Sequence, residues 1–202
     1  MSIIFARIPR AAAMMARSDR GAAGAVPDRR LPCALCGADA AHAARGVDVL
    51  DRGRRRAGQL DAGTSSGSSR RETVTKDIHC VTKWSKLDTV WEGVSVDTLL
   101  DAGRSTTPSI VLAFCDGGYT TNLPLEDVTD GKAWVAFVYG GEPLEPEHGG
   151  PARLLVPHLY FWKSAKWVRG LDLRDEDEPG FWESNGYHIR GDPWLEQRYW
   201  GD

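Results

Sequence analysis

Cys80 is the residue of this chain whose surroundings most clearly favour chemistry. It follows His79 and is flanked by Lys76, Lys83 and Lys86. Positive neighbours favour the thiolate, which is the form of cysteine that attacks electrophiles and binds metals. The residues around Cys80 are therefore consistent with a nucleophile and with a metal ligand.

A second candidate site is the segment His148-Gly-Gly-Pro151-Ala-Arg153. Its glycines allow a close approach of the backbone, and Pro151 makes the turn rigid. Because an arginine can bind a phosphate with two hydrogen bonds, this loop suits an anion or an anionic cofactor. The alternative is a tight turn before a strand, with Arg153 in solvent, and the loop alone leaves both interpretations open.

The run Tyr160-Phe-Trp-Lys163-Ser164-Ala165-Lys166-Trp167 combines two lysines and a serine with four aromatic residues. Basic and hydroxyl groups beside aromatic rings suit a phosphorylated heterocyclic ligand. The alternative is an aromatic stripe that faces the core and is flanked by exposed lysines. The run therefore predicts either a ligand site or part of the core.

Asp116 is a further candidate, because it comes directly after an apolar strand, where site residues are common. Cys115, at the end of that strand, is expected to be a small buried residue. His158 and His188 could act in catalysis, although a single histidine near aromatic residues is more often structural. These residues alone do not define a reaction.

Three other motifs favour no function. Cys33-Ala-Leu-Cys36 supplies two of the four ligands that a structural zinc site needs, and no second pair follows it. The Arg54–Arg56 run is interpreted as part of a solvated tail. Arg190-Gly-Asp192 resembles an adhesion tripeptide, but Asp192-Pro193 is better explained as the start of a helix.

Short strands and short helices are predicted after residue 71. The predicted strands are 72–78, 90–94 (strand or turn), 109–115, 133–139, 152–156 and 166–173. A short helix is predicted at 95–103, with Ser95 as its cap and Gly103 at its end, a helical turn at 125–128 and a last helix at Asp192. Because strands and helices do not alternate strictly, the predicted fold class is α+β, with mixed β-sheets.

The composition changes near residue 71. All eight tryptophans and all five tyrosines lie at or after residue 84, while residues 1–71 are rich in Ala, Arg, Gly and Ser. Such a segment cannot bury enough apolar surface to offset its chain entropy. We therefore predict a disordered, low-complexity segment at 1–71 and one folded domain at 72–202.

Charge and cysteine content exclude several classes of protein. The net charge of −3 does not favour nucleic acid as a partner, and no apolar run is long enough to span a membrane. The N-terminus shows no secretory or twin-arginine signal. The four cysteines are too scattered for a disulfide framework, so a cytoplasmic location is expected.

Several motifs in order resemble the molybdenum-binding part of the sulfite oxidase family. They are Cys80-Val-Thr-Lys-Trp-Ser85, Trp91-Glu-Gly93, the stretch 142–157 around His148 and Arg153, the stretch 160–167 with Lys163-Ser-Ala-Lys166, and the ending Gly180-Phe-Trp-Glu183, Gly186-Tyr-His188 and Asp192-Pro-Trp194. The ending resembles short, single-domain bacterial members, which are related to the catalytic subunit of a methionine sulfoxide reductase. The resemblance covers residues 72–202.

The resemblance implies a sulfite-oxidase-type domain that binds a molybdenum–molybdopterin cofactor. Cys80 would give the metal its thiolate ligand, since a soft thiolate suits a metal that is also held by a dithiolene. Asp116 would lie close to the metal or the pterin. His148 and Arg153 would contact the pterin and its phosphate.

The stretch Ser164-Ala165-Lys166 would hold the phosphate end of the cofactor. The implied reaction is two-electron oxygen-atom transfer between Mo(VI) and Mo(IV) on a small sulfur oxyanion or a sulfoxide. It is coupled to single-electron steps with an unidentified external electron-transfer partner. No haem is expected.

Residues 1–71 depart from the family, because relatives enter the cysteine strand through a folded segment with strands and pterin contacts. We predict that this stretch is a shifted reading frame or a replaced segment, so that the domain lacks its usual N-terminal part. The coding DNA tests this, because another frame before Thr73 should then encode an aromatic, strand-like sequence. Two alternatives remain: a truncated, catalytically inactive domain and a non-enzymatic anion-binding protein.

Overall fold

The structure is a computed structural model that describes residues 47–51, 55–60, 71–101 and 109–202. Cys33, Cys36 and Gly103 lie outside these residues, as does most of the segment 1–71. Among the described residues, no helix is long and apolar enough to cross a membrane.

The first sheet has five strands, in the order β2-β1-β10-β5-β6. The strands are β1 (Val47–Asp51), β2 (Arg55–Leu60), β5 (Ile110–Cys115), β6 (Thr120–Pro124) and β10 (Val168–Arg174). β1 runs parallel to β10, and the other neighbours are antiparallel. The central strands β10 and β5 are almost wholly buried, as expected for strands covered on both faces.

The second sheet carries the cysteine strand at its edge, in the order β3-β4-β7-β8, and β9 also pairs with β7. The strands are β3 (Glu72–Cys80), β4 (Trp84–Ser95), β7 (Trp134–Tyr139), β8 (Glu142–Pro143) and β9 (Arg153–Leu155). Every pairing in this sheet is antiparallel. The described residues contain two short α-helices, α1 (Val96–Asp101) and α2 (Phe181–Ser184).

Strand β7 separates two hydrophobic clusters. Val135 and Phe137 belong to the main core with residues of the first sheet, such as Val111 and Leu171. Trp134 and Ala136 belong to a smaller cluster on the opposite face with Ile78, Trp91, Leu144 and Leu155. This alternation follows from the two-residue period of a strand. The second sheet is therefore buried on both faces around β7.

The α+β class with mixed sheets is confirmed. The predicted strands 72–78, 109–115, 133–139, 152–156 and 166–173 correspond to β3, β5, β7, β9 and β10, with ends that differ by a few residues. The predicted strand 90–94 is the second half of the longer β4. Ser95 caps α1 as predicted, because its Oγ accepts a hydrogen bond from the backbone N–H of Asp97 at 3.2 Å.

Strands β1 and β2 fall within the segment 1–71, which was expected to have no fold. At 47–51 and 55–60 the structure differs from that expectation. Val47 is fully buried in the main core, and β1 gains its order by pairing with β10 inside the first sheet. Such a pairing depends on a distant strand, so local composition gives no sign of it.

The predicted helix at Asp192 is wrong. Pro193 to Glu196 form a turn, and the carboxylate of Asp192 accepts hydrogen bonds from the N–H groups of Trp194 at 2.8 Å and Leu195 at 3.4 Å. This is the geometry of a helix start, but the chain does not continue as a helix. A capping aspartate followed by proline can therefore also form a single turn that does not continue as a helix.

Gly93 is required where β4 pairs with β7, at the register shift between Glu92 and Gly93. A Cβ atom at this position would lie 2.4 Å from the carbonyl oxygen of Val135 and 2.9 Å from the Cα of Ala136. We expect Gly93→Ala to lower the free energy of unfolding by about 2 kcal/mol, because backbone atoms cannot easily give way. Urea unfolding measures this, with Glu92→Ala on the same strand as the control. A change equal to that of the control would contradict the assignment.

Candidate functional site

Cys80 is the last residue of β3, at the entrance to the tight turn that joins β3 to β4. The turn is closed by a hydrogen bond of 3.0 Å from the N–H of Lys83 to the carbonyl of Cys80. The thiol is half-buried, and the hydroxyl of Thr82 donates to its sulfur at 3.1 Å. The second sheet thus fixes the backbone of Cys80 and leaves its sulfur accessible.

His79 helps to anchor this end of β3. Its backbone forms a parallel bridge with Tyr160, and its Nδ1 lies 2.8 Å from the hydroxyl of Ser85. The ring of Trp194 packs edge-on against it, with ring centroids 5.1 Å apart. Burial lowers the pKa of His79, and the negative charge of Asp77 offsets part of this effect. At neutral pH His79 is therefore an uncharged hydrogen-bonding group.

Tyr187 is a residue near Cys80 to which the sequence analysis gave no role. Its ring packs against Trp162, Trp182 and Tyr199, with centroids 4.8–5.4 Å apart. Burial raises the pKa of the Tyr187 hydroxyl, and the charges of Tyr199 and Cys80 raise it further. The hydroxyl therefore keeps its proton at neutral pH. The motif Gly186-Tyr-His188 contains this residue, but nothing local in the sequence predicts that the charge of Cys80 acts on it.

The interaction of Tyr187 with Cys80 can be measured in metal-free protein. Phenolate absorbance should show a component with a midpoint above 10 that disappears in Tyr187→Phe. In Cys80→Ser that midpoint should fall, because the negative thiolate that opposes ionisation of Tyr187 is gone. Thr82→Val is the control, since it leaves the thiol in place. An unchanged midpoint in Cys80→Ser would contradict the interaction.

The five residues assigned by sequence to the phosphate end lie together. They are His148, Arg153, Ser164, Ala165 and Lys166. Two guanidinium nitrogens of Arg153 each donate at 2.8 Å, one to the carbonyl of His148 and the other to that of Ser164. The N–H of Leu154 donates to the carbonyl of Ala165 at 2.8 Å, and Lys166 Nζ donates to the carbonyl of Glu147 at 2.8 Å.

Arg153 is buried, and its guanidinium faces inward. It lies 4.3 Å from the ring centroid of Phe161 and 5.6 Å from that of Trp91. Burial lowers the pKa of Arg153 to about 10, so the side chain remains charged at neutral pH. Its buried Nε has no hydrogen-bond partner among the described residues. The protein thus leaves one buried donor unsatisfied beside the predicted phosphate end.

The His148 loop packs closely on the protein itself. A Cβ atom on Gly149 would lie 3.0 Å from the backbone and side chain of Lys166, and Gly149 has a φ of +100°. The glycines of this loop allow its backbone to approach a neighbour closely, and at Gly149 that neighbour is Lys166. His148 is exposed, and its Nε2 lies 3.7 Å from Glu145 and 3.5 Å from Glu147. These carboxylates make the outer side of the loop acidic.

Asp116 is held by an ion pair. Its carboxylate accepts hydrogen bonds from Nε and NH2 of Arg169, at 2.6 and 2.5 Å, and both side chains are largely buried. The N–H of Asp116 donates to the carbonyl of Trp167 at 3.0 Å. Asp116 therefore adjoins the cluster at the phosphate end through the residue after Lys166.

Phe161 lies between the cysteine and this cluster. Its ring centroid is 6.5 Å from that of Trp84, which faces Cys80 across the hairpin, and the Arg153 guanidinium lies over it. The structure thus groups the candidate residues into two parts. One part contains Cys80 and Tyr187, and the other contains Asp116 and the residues of the phosphate end.

Lys163 lies in neither part, because it is fully buried in an ion pair. Its Nζ lies 2.5 Å from Glu183 Oε1 and 2.6 Å from the carbonyl oxygen of Asn122. Burial lowers the pKa of Lys163, and the charge of Glu183 opposes this. Trp162 Nε1 donates to the same Glu183 oxygen at 3.1 Å. The pair joins the aromatic run 160–167 to α2, which precedes Tyr187.

His158 and His188 both have structural partners. His158 Nε2 lies 3.2 Å from the buried Asp127, which also accepts a hydrogen bond from Arg190 at 2.8 Å. Burial alone would raise the pKa of Asp127, but the hydrogen bonds from His158 and Arg190 outweigh it and lower the pKa. His188 Nδ1 accepts hydrogen bonds from the N–H groups of Arg190 and Gly191. Arg190 of the Arg190-Gly-Asp192 tripeptide therefore forms an ion pair with Asp127 within the protein.

Residues 65–182 match the family model described as "Oxidoreductase molybdopterin binding domain". The match covers more than half of the chain and contains Cys80, Asp116 and the residues of the phosphate end. Together with the two-sheet fold, it defines the class of protein. The chain belongs to the oxidoreductase molybdopterin-binding domain family.

Several characterised and uncharacterised oxidoreductases are similar in sequence. The chain is 54% identical over 127 residues to the "Uncharacterized oxidoreductase YuiH" of Bacillus subtilis, covering 62% of this chain and 64% of that protein. It is 28% identical over 108 residues to the mitochondrial sulfite oxidase of Rattus norvegicus, covering 48% of this chain and 20% of that protein. It is 25% identical over 146 residues to the protein-methionine-sulfoxide reductase catalytic subunit MsrP of Gluconobacter oxydans, covering 61% of this chain and 46% of that protein. The chain thus spans less than two thirds of each relative.

A similar fold occurs in the crystal structure of the sulfane dehydrogenase SoxCD from Paracoccus pantotrophus. The TM-score is 0.56 at 22% sequence identity, covering 67% of this chain and 39% of that chain. At this identity the likeness supports the fold alone. Together with the family match, this fold confirms the predicted sulfite-oxidase-type architecture.

The residues of this chain fit the cofactor that the family binds. At one end the accessible sulfur of Cys80 is the soft donor that molybdenum favours. At the other end the unsatisfied Nε of Arg153 adjoins the cluster expected to hold the phosphate. Arg153 Nε is one of several buried side-chain atoms without a partner among the described residues, and a bound group that accepts a hydrogen bond would satisfy it.

Proposed function

We propose that this chain is a molybdenum–molybdopterin-dependent oxidoreductase that transfers an oxygen atom to or from a small sulfur oxyanion or a sulfoxide. The observation that carries the proposal is the half-buried thiol of Cys80, held at a strand end inside the region that matches the family. Relatives that act on sulfite and on methionine sulfoxide support both substrate classes. The electron partner is an external protein or carrier.

In this proposal Cys80 binds the metal through its thiolate. Arg153, His148 and the stretch Ser164–Lys166 bind the pterin and its phosphate. The bound cofactor supplies the two-electron redox chemistry. Every other contribution comes from the fold, which fixes Cys80 at the end of β3.

Tyr187 is the candidate proton donor, because the negative charge of Cys80 acts on its hydroxyl and helps to raise its pKa. Its raised pKa keeps the hydroxyl protonated at neutral pH, so in sulfoxide reduction it would supply a proton to the oxygen atom that is released as water. The rings of Trp162, Trp182 and Tyr199 hold Tyr187 in place and limit its contact with water. Asp116 helps to fix the turn beside Trp167 through its ion pair with Arg169.

Metal content and two assays test this function. Protein purified from a host that makes molybdopterin should contain about one molybdenum per chain and release a fluorescent pterin on oxidation. Sulfite oxidation with ferricyanide and methionine sulfoxide reduction with a reduced viologen then assign the direction. Protein without molybdenum from such a host would overturn the proposal.

The second candidate function is a truncated domain that has lost activity. The observation that favours it is that NH1 and NH2 of Arg153 and Nζ of Lys166 already donate to main-chain carbonyls. A cofactor phosphate would compete with these internal bonds. Stoichiometric molybdenum without turnover of sulfite or sulfoxide would favour this candidate, whereas turnover by the loaded protein would exclude it.

A further inference from the structure

A cavity that the proposed reaction does not use opens beside β3, next to the cysteine strand end. Its volume is about 420 Å³, within the range of small-molecule sites. It is lined by Lys76, Asp77, His79, Gly131, Lys132, Trp134, Pro157 and His158. Neither Cys80 nor Tyr187 nor any residue of the phosphate end lines it. The cavity is therefore separate from the site described above.

Two lysines give this cavity its charge. Lys76 Nζ lies 5.1 Å from the ring centroid of Trp134. Lys132 Nζ donates to the carbonyl of Glu126 at 2.6 Å, which leaves two of its three ammonium protons for other acceptors. The carboxylate of Asp77 accepts a hydrogen bond from the N–H of Asp88 at 2.9 Å, so the adjacent hairpin partly satisfies it. Among the residues that line the cavity, the two ammonium groups of Lys76 and Lys132 therefore outnumber the one carboxylate, that of Asp77.

The polar groups of the cavity are already held in place. The Ser85 hydroxyl fixes His79 through Nδ1, and the buried Asp127 fixes His158 through Nε2. The turn before Lys132 is fixed as well, because the carboxylate of Asp97 accepts hydrogen bonds from the N–H groups of Asp130 and Gly131 at 2.9 and 2.8 Å. Because these side chains and this turn are already held in place, binding of a ligand would cost little side-chain entropy.

The rest of the lining is apolar. Trp134 and Pro157 are both buried and present ring surfaces to the cavity, between the two lysines and the two histidines. An inorganic anion would fill only part of such a space, whereas an anion with an apolar body would contact both the rings and the ammonium groups. Mixed cavities of this kind bind small organic ligands.

We propose that this cavity is a second binding site, specific for a small organic anion with a carboxylate, sulfonate or phosphate head group. Lys76 and Lys132 bind the head group, His79 orients it through Nε2, and His158, whose Nε2 is taken up by Asp127, lines the site. Trp134 and Pro157 contact the apolar body. The proposal does not depend on molybdenum, so it stands or falls separately from the proposed function.

Binding of benzenesulfonate to metal-free full-length protein tests the site. Isothermal titration should show saturable binding, and the imidazole signals of His79 and His158 should shift in nuclear magnetic resonance spectra. The exposed His148 lies at the predicted phosphate end, so a shift of its signals reports binding there and not in the cavity. Inorganic sulfate should bind about tenfold more weakly, because it lacks the apolar body. The cation benzyltrimethylammonium should not bind.

Lysine variants identify the head-group contacts. Lys76→Gln and Lys132→Gln should each weaken benzenesulfonate binding about tenfold. Lys86→Gln is the matched control, because Lys86 also lies over an aromatic ring, at 4.7 Å from Tyr139, but does not line the cavity. Circular dichroism verifies that all variants fold. Unchanged affinity in both cavity variants, equal binding of sulfate, or a shift of His148 alone would overturn the proposal.

Discussion

Replacing Cys80 by serine should abolish molybdenum binding. Serine keeps the size of the side chain but removes the soft thiolate, and its hydroxyl stays protonated at neutral pH. We expect the molybdenum content to fall from about one per chain to less than about a tenth, and oxygen-atom transfer to fall with it. Mass spectrometry of the metal in protein from a cofactor-competent host measures this.

Cys115→Ala provides the control, because Cys115 is a buried cysteine of the main core. It should keep its molybdenum and lose only some stability. Unfolding curves of metal-free protein separate ligand loss from misfolding, because Cys80→Ser should unfold at the same urea concentration as the unsubstituted chain. Full molybdenum retention in folded Cys80→Ser would disprove the assignment of Cys80 as the metal ligand.

Breaking the ion pair of Lys163 and Glu183 should give the largest loss of stability. In Lys163→Met the carboxylate of Glu183 stays buried without its countercharge, and its Oε2 already has no hydrogen-bond partner among the described residues. Loss of one member of a buried pair costs about 4 kcal/mol. Urea unfolding of Lys163→Met should show a decrease of this size in the free energy of unfolding.

The double variant Lys163→Met/Glu183→Gln should recover at least half of that loss. The uncompensated charge is then removed, and the glutamine oxygen can still accept the hydrogen bond from Trp162. Lys86→Met, a change at a partly exposed lysine, should stay within about 0.5 kcal/mol of the unsubstituted chain. If Lys163→Met were as stable as Lys86→Met, the buried pair would have no structural importance.

Local patterns predicted the strands whose side chains face a core. The apolar runs that became β5 and β7 are buried on both faces, so hydrophobicity alone identified them. Ser95 and Asp97 identified the start of α1 in the same way. These predictions succeeded because neighbouring residues within one element carry the signal.

Long-range contacts decided the features that sequence reasoning missed. Thr120–Pro124 reads as a polar turn, yet it forms β6 because β5 supplies its hydrogen bonds. The burial of Lys163 depends on Asn122 and Glu183, which lie far from it in sequence. Arg153 was expected to offer its guanidinium to a phosphate, and its bonds to nearby carbonyls could not be read from the loop.

The parallel pairing of β1 with β10 has a consequence for synthesis on the ribosome. Asp48 is paired with Gly170, so the partner of one of the first strands is among the last to be made. At typical translation rates β1 would wait on the order of ten seconds for that partner. During this interval its hydrogen-bonding edge is open to other chains, which exposes the nascent protein to incorrect strand pairing. A circular permutant that places β1 directly after β10 would remove this delay.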